Sequence, residues 1–442
     1  MKKITLAFCL LVAIVSNSQI LQLYTNTTDT GFVAETVDST IILKQNIVVN
    51  PANLRAQNNG TLKIVLPGMT TTINIVKTQQ SVNTSLNSFE WFGTIQGSPN
   101  SFVLLTNIGS AIAGYIRDGN KIYRIQYKGN NVHQISSISN RFAKPDKAKR
   151  VASAAGSSYV TDTTSCCDTN KVVDIMVVYT AQANTIAGGT DAMNSQIDLC
   201  IELSNTSYGR SGINVRLNLV HTAEIDYTDQ SNAETNLQRL TNNPGGMFNN
   251  VRNWRNTYKA DIVVMMVDRM YGFSGIANVM TTNTVSFESS AYAVVEVAGA
   301  YSNKDFPHEV SHVMGAGHEY CDDGWEGLEN NSHGYRGGNY NTIMSTDHSF
   351  NRVEYFSNPN INYPGDGLPM GVVSPNCPTN NNALTLNNTA NTVSKFRCRD
   401  GSQCSKPPCK GYKCWIYWVV GILASIILIL LLLRRRRRRP RP

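Results

Sequence analysis

Between Cys9 and Cys166 the chain has no cysteine. That absence excludes disulfide staples and thiolate metal sites from the N-terminal third, which must hold together through an apolar core alone. Charge is scarce as well: 16% of the 442 residues are charged against 41% hydrophobic, a globular balance with enough apolar material for a sizeable core. The formal net charge of +8 is not spread over the body. Seven of those charges are Arg434 to Arg439 and Arg441, which leaves 8 − 7 = +1 for everything else. A nearly neutral body lacks the basic footprint of a nucleic-acid binder, so no nucleic-acid partner is expected. No internal repeat is present.

The longest uncharged apolar runs lie at the two ends. Lys2 and Lys3 precede Ile4 to Val15, followed by Ser16-Asn17-Ser18; this pattern predicts a signal peptide over residues 1–18. Trp415 to Leu433 is 19 residues without a charge and is followed by six arginines. A single transmembrane helix over 415–433 is expected, with residues 434–442 as a basic cytoplasmic tail and the body outside. The expected location is therefore the cell surface or an extracytoplasmic membrane, unless the span is a sorting signal that is removed to release the protein. Nine cysteines beyond Cys9 fall in the outward segment, where most are expected to pair. An odd count leaves one over, and Cys414, at the membrane edge, is the candidate. Six Asn-x-Ser/Thr sequons would carry glycans in a eukaryotic host.

Residues 19–150 read as a β-rich unit. Thr61 to Leu66 and Thr72 to Val76 are strand-like, and Asp118-Gly119 marks a hairpin turn between Ala111 to Ile116 and Lys121 to Tyr127. The unit closes on Lys149-Arg150, a basic pair expected to lie in an exposed linker and to suit an activating protease. Residues 151–398 alternate strands (Val172 to Tyr179, Ile213 to Leu219, Asp261 to Val267, Ala291 to Val297) with helices, of which Thr190 to Tyr208 is the longest, as expected of an α/β sheet domain. A Cys-rich stalk over 399–414 follows.

The chemistry concentrates in His308-Glu309-Val310-Ser311-His312-Val313-Met314-Gly315-Ala316-Gly317-His318, which holds three of the seven histidines. His308 and His312 at i and i+4 share one helix face, so both imidazoles can reach one metal ion. Pro307 suits the first turn and Asp305 can cap it. On a continuous helix His318 would lie about 15 Å further along the axis. The helix must therefore end, and Gly315 is where the chain can turn back, because glycine adopts left-handed dihedrals cheaply. Three imidazoles and one open position suit one catalytic Zn2+ ion, with Glu309 as general base for its bound water. A purely structural zinc site would not need Glu309.

This extended motif resembles the metzincins, a clan of zinc endopeptidases. Asn341-Thr342-Ile343-Met344-Ser345 is similar to their Met-turn, with Met344 below the metal. Val173 to Thr180, Ile213 to Asp226 and Tyr355-Phe356-Ser357-Asn358-Pro359 resemble the reprolysin-like branch that includes peptidyl-Asp metalloendopeptidases. The resemblance covers about residues 170–398. It implies a metzincin-like α/β (α+β) domain with a twisted mixed sheet, a protein or peptide substrate lying along an edge strand near Ala291, Tyr292, Ala293 and Val294, cleavage before Asp, and residues 19–150 as a propeptide. Two features depart from relatives in the clan: Thr346 stands where astacins and serralysins place a tyrosine ligand, and no propeptide cysteine exists, so latency would need steric blocking or another ligand such as His133 or a carboxylate. A surface adhesion or binding protein on the same fold is the alternative, which the intact Glu309 disfavours.

Overall fold

The computed structural model describes residues 20–22, 24–26, 38–55, 60–139, 141, 143–150, 171–319, 327–373 and 379–399. The expected signal peptide, most of the stalk, the 415–433 segment and the basic tail lie outside the described residues. Among the described residues no helix is long and apolar enough to cross a membrane.

The N-terminal region is one ten-stranded sheet. From Ile73 to Ile138 six strands follow one another as an antiparallel meander, because short connections leave each strand no neighbour but the next. At the expected hairpin, Asp118 pairs with Lys121 across Gly119-Asn120, with Gly119 at φ +56°. Side chains alternate between two cores. Trp91, Val103, Leu105, Ile116 and Ile125 bury one face. Phe102, Leu104 and Tyr115 join the core of the following domain on the other.

That second domain is built on a six-stranded sheet, in the order Asp146–Arg150, Gly275–Val279, Tyr292–Glu296, Ile262–Val267, Val172–Thr180, Arg216–Ile225. Gly275–Val279 runs antiparallel to Tyr292–Glu296, and every other neighbouring pair is parallel. The long helix Thr190–Arg210 is wedged between the two sheets. Met193, Ile197, Cys200, Ile201 and Ser204, the face expected from its periodicity, are all buried. The polar residues Ser195, Asp198, Glu202 and Ser207 are buried too, because the N-terminal sheet covers what would otherwise be a solvated side. Thr106 of that sheet donates to the Ser195 carbonyl at 2.7 Å.

Two expectations need correction. Tyr292–Glu296 is not an edge strand: it has neighbours on both sides, so Ala291, Tyr292, Ala293 and Val294 are interior. The strand next to the edge is Gly275–Val279, and its outer side is taken by Asp146–Arg150. Lys149-Arg150 is thus not in an open linker but at the end of a hydrogen-bonded strand, pairing Lys149 with Asn278 and Arg150 with Val279. Cys200 is a free thiol buried in the core, while Cys398 is disulfide-bonded. Cys414 and the other six cysteines beyond Cys9 lie outside the described residues.

Candidate metal centre and active site

The motif helix runs Asp305–Val313 and is buried along its whole length. Phe306, Val310 and Val313 pack into the main core, which also holds Met344 and Ile343. Asp305 does not cap it. The residue before the first turn is Lys304, in the left-handed region at φ +64°, and no side chain caps the helix. Lys304 instead sends its ammonium inward to Tyr115 Oη (2.8 Å) and the Arg352 carbonyl (2.6 Å). Asp305 faces Arg352 Nη1 at 3.2 Å. The helix ends where the spacing required. Gly315 takes φ +94°, its N–H closes onto the His312 carbonyl at 2.9 Å, and the chain reverses.

That reversal brings His308, His312 and His318 together. Their Nε2 atoms converge, with 3.0 Å between His308 and His318 and 2.9 Å between His312 and His318. His308 Nδ1 lies 2.8 Å from the Ile343 carbonyl and His312 Nδ1 2.8 Å from the Ala316 carbonyl. A carbonyl only accepts, so both Nδ1 atoms carry the proton and both Nε2 atoms present lone pairs. Burial also holds His308 and His312 well below the usual histidine pKa, and each is further depressed by its histidine neighbours. The Nε2 lone pairs of His308 and His312 thus converge on His318 Nε2, and neutral imidazoles gathered in this way suit zinc. The residues present fit the metal.

Met344 is fully buried in the tight turn Thr342–Ser345, closed by Ser345 N–H on the Thr342 carbonyl at 3.0 Å. The turn also supplies the Ile343 carbonyl that orients His308. His333 is buried, with Nδ1 3.1 Å from the His318 carbonyl. Asn382 brackets the turn from the other side: its side chain accepts from Gly317 N–H at 3.1 Å and donates to the Gly317 carbonyl at 2.9 Å. Glu319 occupies the direction of Thr346, accepting from its N–H at 2.9 Å and its hydroxyl at 3.2 Å.

Glu309 is buried, and neither carboxylate oxygen has a hydrogen-bond partner among the described residues. Burial pushes its pKa well up, and the Asp146 and Asp305 carboxylates add to this. Gly275 makes the space for it: a Cβ there would lie 2.8 Å from Glu309 Cγ and 2.9 Å from Cδ, and closer still to Oε1. Asp146 pairs with Gly275 across the ladder. Asp146, His308 and Glu309 form a second group whose ligand atoms lie within 4.8 Å of one another. Neither Asp146, Gly275 nor Arg352 stood out in the sequence, since each matters only through contacts made far along the chain. His133 is remote in role as well as sequence: it is buried in the N-terminal sheet, accepting from Ile112 N–H at 3.0 Å. His221 stacks on Tyr258 with ring centroids 4.0 Å apart, a packing role.

A helix-borne histidine pair, a third histidine after a glycine turn, a carboxylate beside them and a methionine turn below define a metallopeptidase centre. Residues 169–374 match metallo-peptidase family M12B, reprolysin-like, and form a domain of that family, whose members are metallopeptidases. The chain is similar to a peptidyl-Asp metalloendopeptidase of Stenotrophomonas maltophilia, 29% identical with 68% of this chain and 72% of the relative covered. It is similar to one of Xanthomonas campestris at 28%, covering 69% and 72%. Among solved structures, metalloproteinase-II from Bacteroides fragilis aligns over 69% of this chain and 90% of its own at 12% identity and a TM-score of 0.42.

Proposed function

We propose that this protein is a zinc-dependent endopeptidase that cuts extracellular proteins next to aspartyl residues. His308, His312 and His318 hold the ion and Glu309 is the general base. The observation that carries this reading is the pair of unpartnered Glu309 oxygens beside three converging histidine Nε2 atoms. When bound, zinc acidifies a coordinated water and polarises the scissile carbonyl. The chain's own residues do the rest. Ile343 and Ala316 fix the tautomers of His308 and His312. Glu309, on the helix turn between them, accepts the water's proton and passes it to the leaving amine. Gly275–Val279 offers the backbone ladder for an extended substrate, in place of the interior strand expected earlier. The names of the relatives support the aspartyl preference.

On this reading residues 19–150 are a prosegment. Asp146–Arg150 fills the ladder that substrate needs, which supports latency by steric blocking. The sequence patterns at the two ends support export and anchoring by the 415–433 segment, with an activating protease cutting near Lys149-Arg150 once that strand loosens. The test is zinc content and cleavage of a mixed peptide library by the parent and by Glu309→Ala, each freed of the prosegment. About one zinc in each and cleavage by the parent alone is expected; equal cleavage by both rejects Glu309 as the base.

A further inference from the structure

The prosegment places one acidic side chain at the site, and its partners are unusual. Asp146 is fully buried. It is ion-paired to Arg352 Nη2 and accepts from Ser274 Oγ at 3.0 Å. Its Oδ2 is 3.7 Å from His308 Nδ1, the nitrogen facing away from the metal. The carboxylate therefore sits beside the first histidine and across the ladder from Gly275, over Glu309, without taking a metal-facing nitrogen.

Arg352 is built to receive it. Nε and Nη2 donate to the Ser345 carbonyl at 2.9 and 2.8 Å, and Nη1 reaches the Asn303 carbonyl at 3.3 Å and Asp305 Oδ1 at 3.2 Å. Ser345 directly follows Met344. The guanidinium is thus locked against the turn below the metal, in a planar fork that fixes where its remaining N–H points. With Asp146–Arg150 displaced, Arg352 keeps Asp305 and Ser345 but loses the partner on its Nη2 side. A buried guanidinium with a vacated carboxylate position selects an acidic side chain, because a neutral one leaves it incompletely paired.

We infer that Arg352, with Ser274 Oγ, is the receptor for the aspartyl side chain of the substrate, and that Asp146 occupies it in the precursor as a tethered substrate side chain. This rests on the peptidase reading above and adds to it the residues that set specificity and the contact that enforces latency. The ladder pins the backbone at Gly275, so side-chain length is set as well: aspartate fits and glutamate is one methylene too long.

The test uses the full chain. First, wild type, Arg352→Gln and Arg352→Lys, each produced as the full chain and then cut near Lys149-Arg150 to release the prosegment, are compared on matched peptides that differ only by Asp or Asn at one position. The wild-type preference for Asp is expected to fall at least tenfold in both variants, with zinc content unchanged. Second, Asp146→Asn is examined without metal. Amide exchange over Asp146–Arg150 should accelerate at least tenfold, and a short Asp peptide should bind at least tenfold tighter than its Asn twin. A folded Arg352 variant that keeps its Asp preference overturns the proposal. So does an Asp146→Asn chain with unchanged exchange or equal binding of the two peptides, and this arm decides if neither Arg352 variant folds. If no chain freed of its prosegment cleaves any peptide but the metal-free arm behaves as expected, the peptidase reading fails while the receptor stands.

Discussion

The two sheets solve opposite problems. The N-terminal sheet buries Trp91, Val103 and Leu105 on one face and rests Phe102, Leu104 and Tyr115 on the long helix with the other. Its strands mostly follow chain order, and nothing reactive lines it. The second sheet is shuffled, 146-275-292-262-172-216 by first residue, and its outer strands carry the chemistry. Both sheets carry glycines whose missing side chain makes room for a neighbour: Gly93 and Gly114 of the first lie against Trp91 and against Leu105 and Ile125, whereas Gly275 of the second lies against Glu309. The same emptied position serves packing in a scaffold sheet and a reactive group in a catalytic one.

That contrast can be broken most sharply at Gly275. Gly275→Ala puts a methyl against the Glu309 side chain, and displacing a catalytic group by about 1 Å costs about a hundredfold. Turnover is expected to fall by about that factor with zinc content unchanged; steady-state rates beside metal analysis check it, and an unaffected rate means that Glu309 tolerates the strand closing in.

A smaller effect sits where the sheets meet across the long helix. Glu90, on the N-terminal sheet, is hydrogen-bonded to Ser81 and lies near Asp198 and Glu202 of the helix. Burial, then those two carboxylates, raise the Glu90 pKa from 4.5 to about 7. A carboxyl with a raised folded pKa holds its proton longer in the folded state, so stability declines as pH rises from 4.5 to about 7 and is level above that. Glu90→Gln should remove this decline, shifting the relative Tm by about 2–4 °C between pH 5 and 7.5. Parallel curves for parent and variant across that range would show that the contact does not titrate there. Glu354 works in the other direction. Burial opposes its charge, but Arg117, Lys304 and Arg210 hold its carboxyl at about 2, so its contribution is lost only as pH falls below 4.5 toward 2.

Local chemistry was legible in the sequence; long-range assembly was not. The spacing of His308 and His312, the need for Gly315 to turn the chain, and the hairpin at Gly119 depend on a few neighbouring residues, and each appears where expected. The β-rich character of residues 19–150 was legible too, and short connections between successive strands then set their order. Strand order in the second sheet is different. Ala291 to Val297 is an apolar run, which marks burial on both faces and argued against an edge, whereas the strand nearer the edge carries Gly275, Ala277 and Asn278. Asp146 and Arg352 are 206 residues apart, and no local pattern links them. Asp305 looked like a cap because its position allowed it, and a buried arginine claimed it instead.

The central claim is that peptide cleavage runs through a metal held by His308, His312 and His318. Its most direct test is to strip the active protein with a chelator, measure cleavage, then return one equivalent of zinc. Loss of cleavage on stripping and recovery at about one zinc per chain is the predicted result. Undiminished cleavage by metal-free protein would contradict the account.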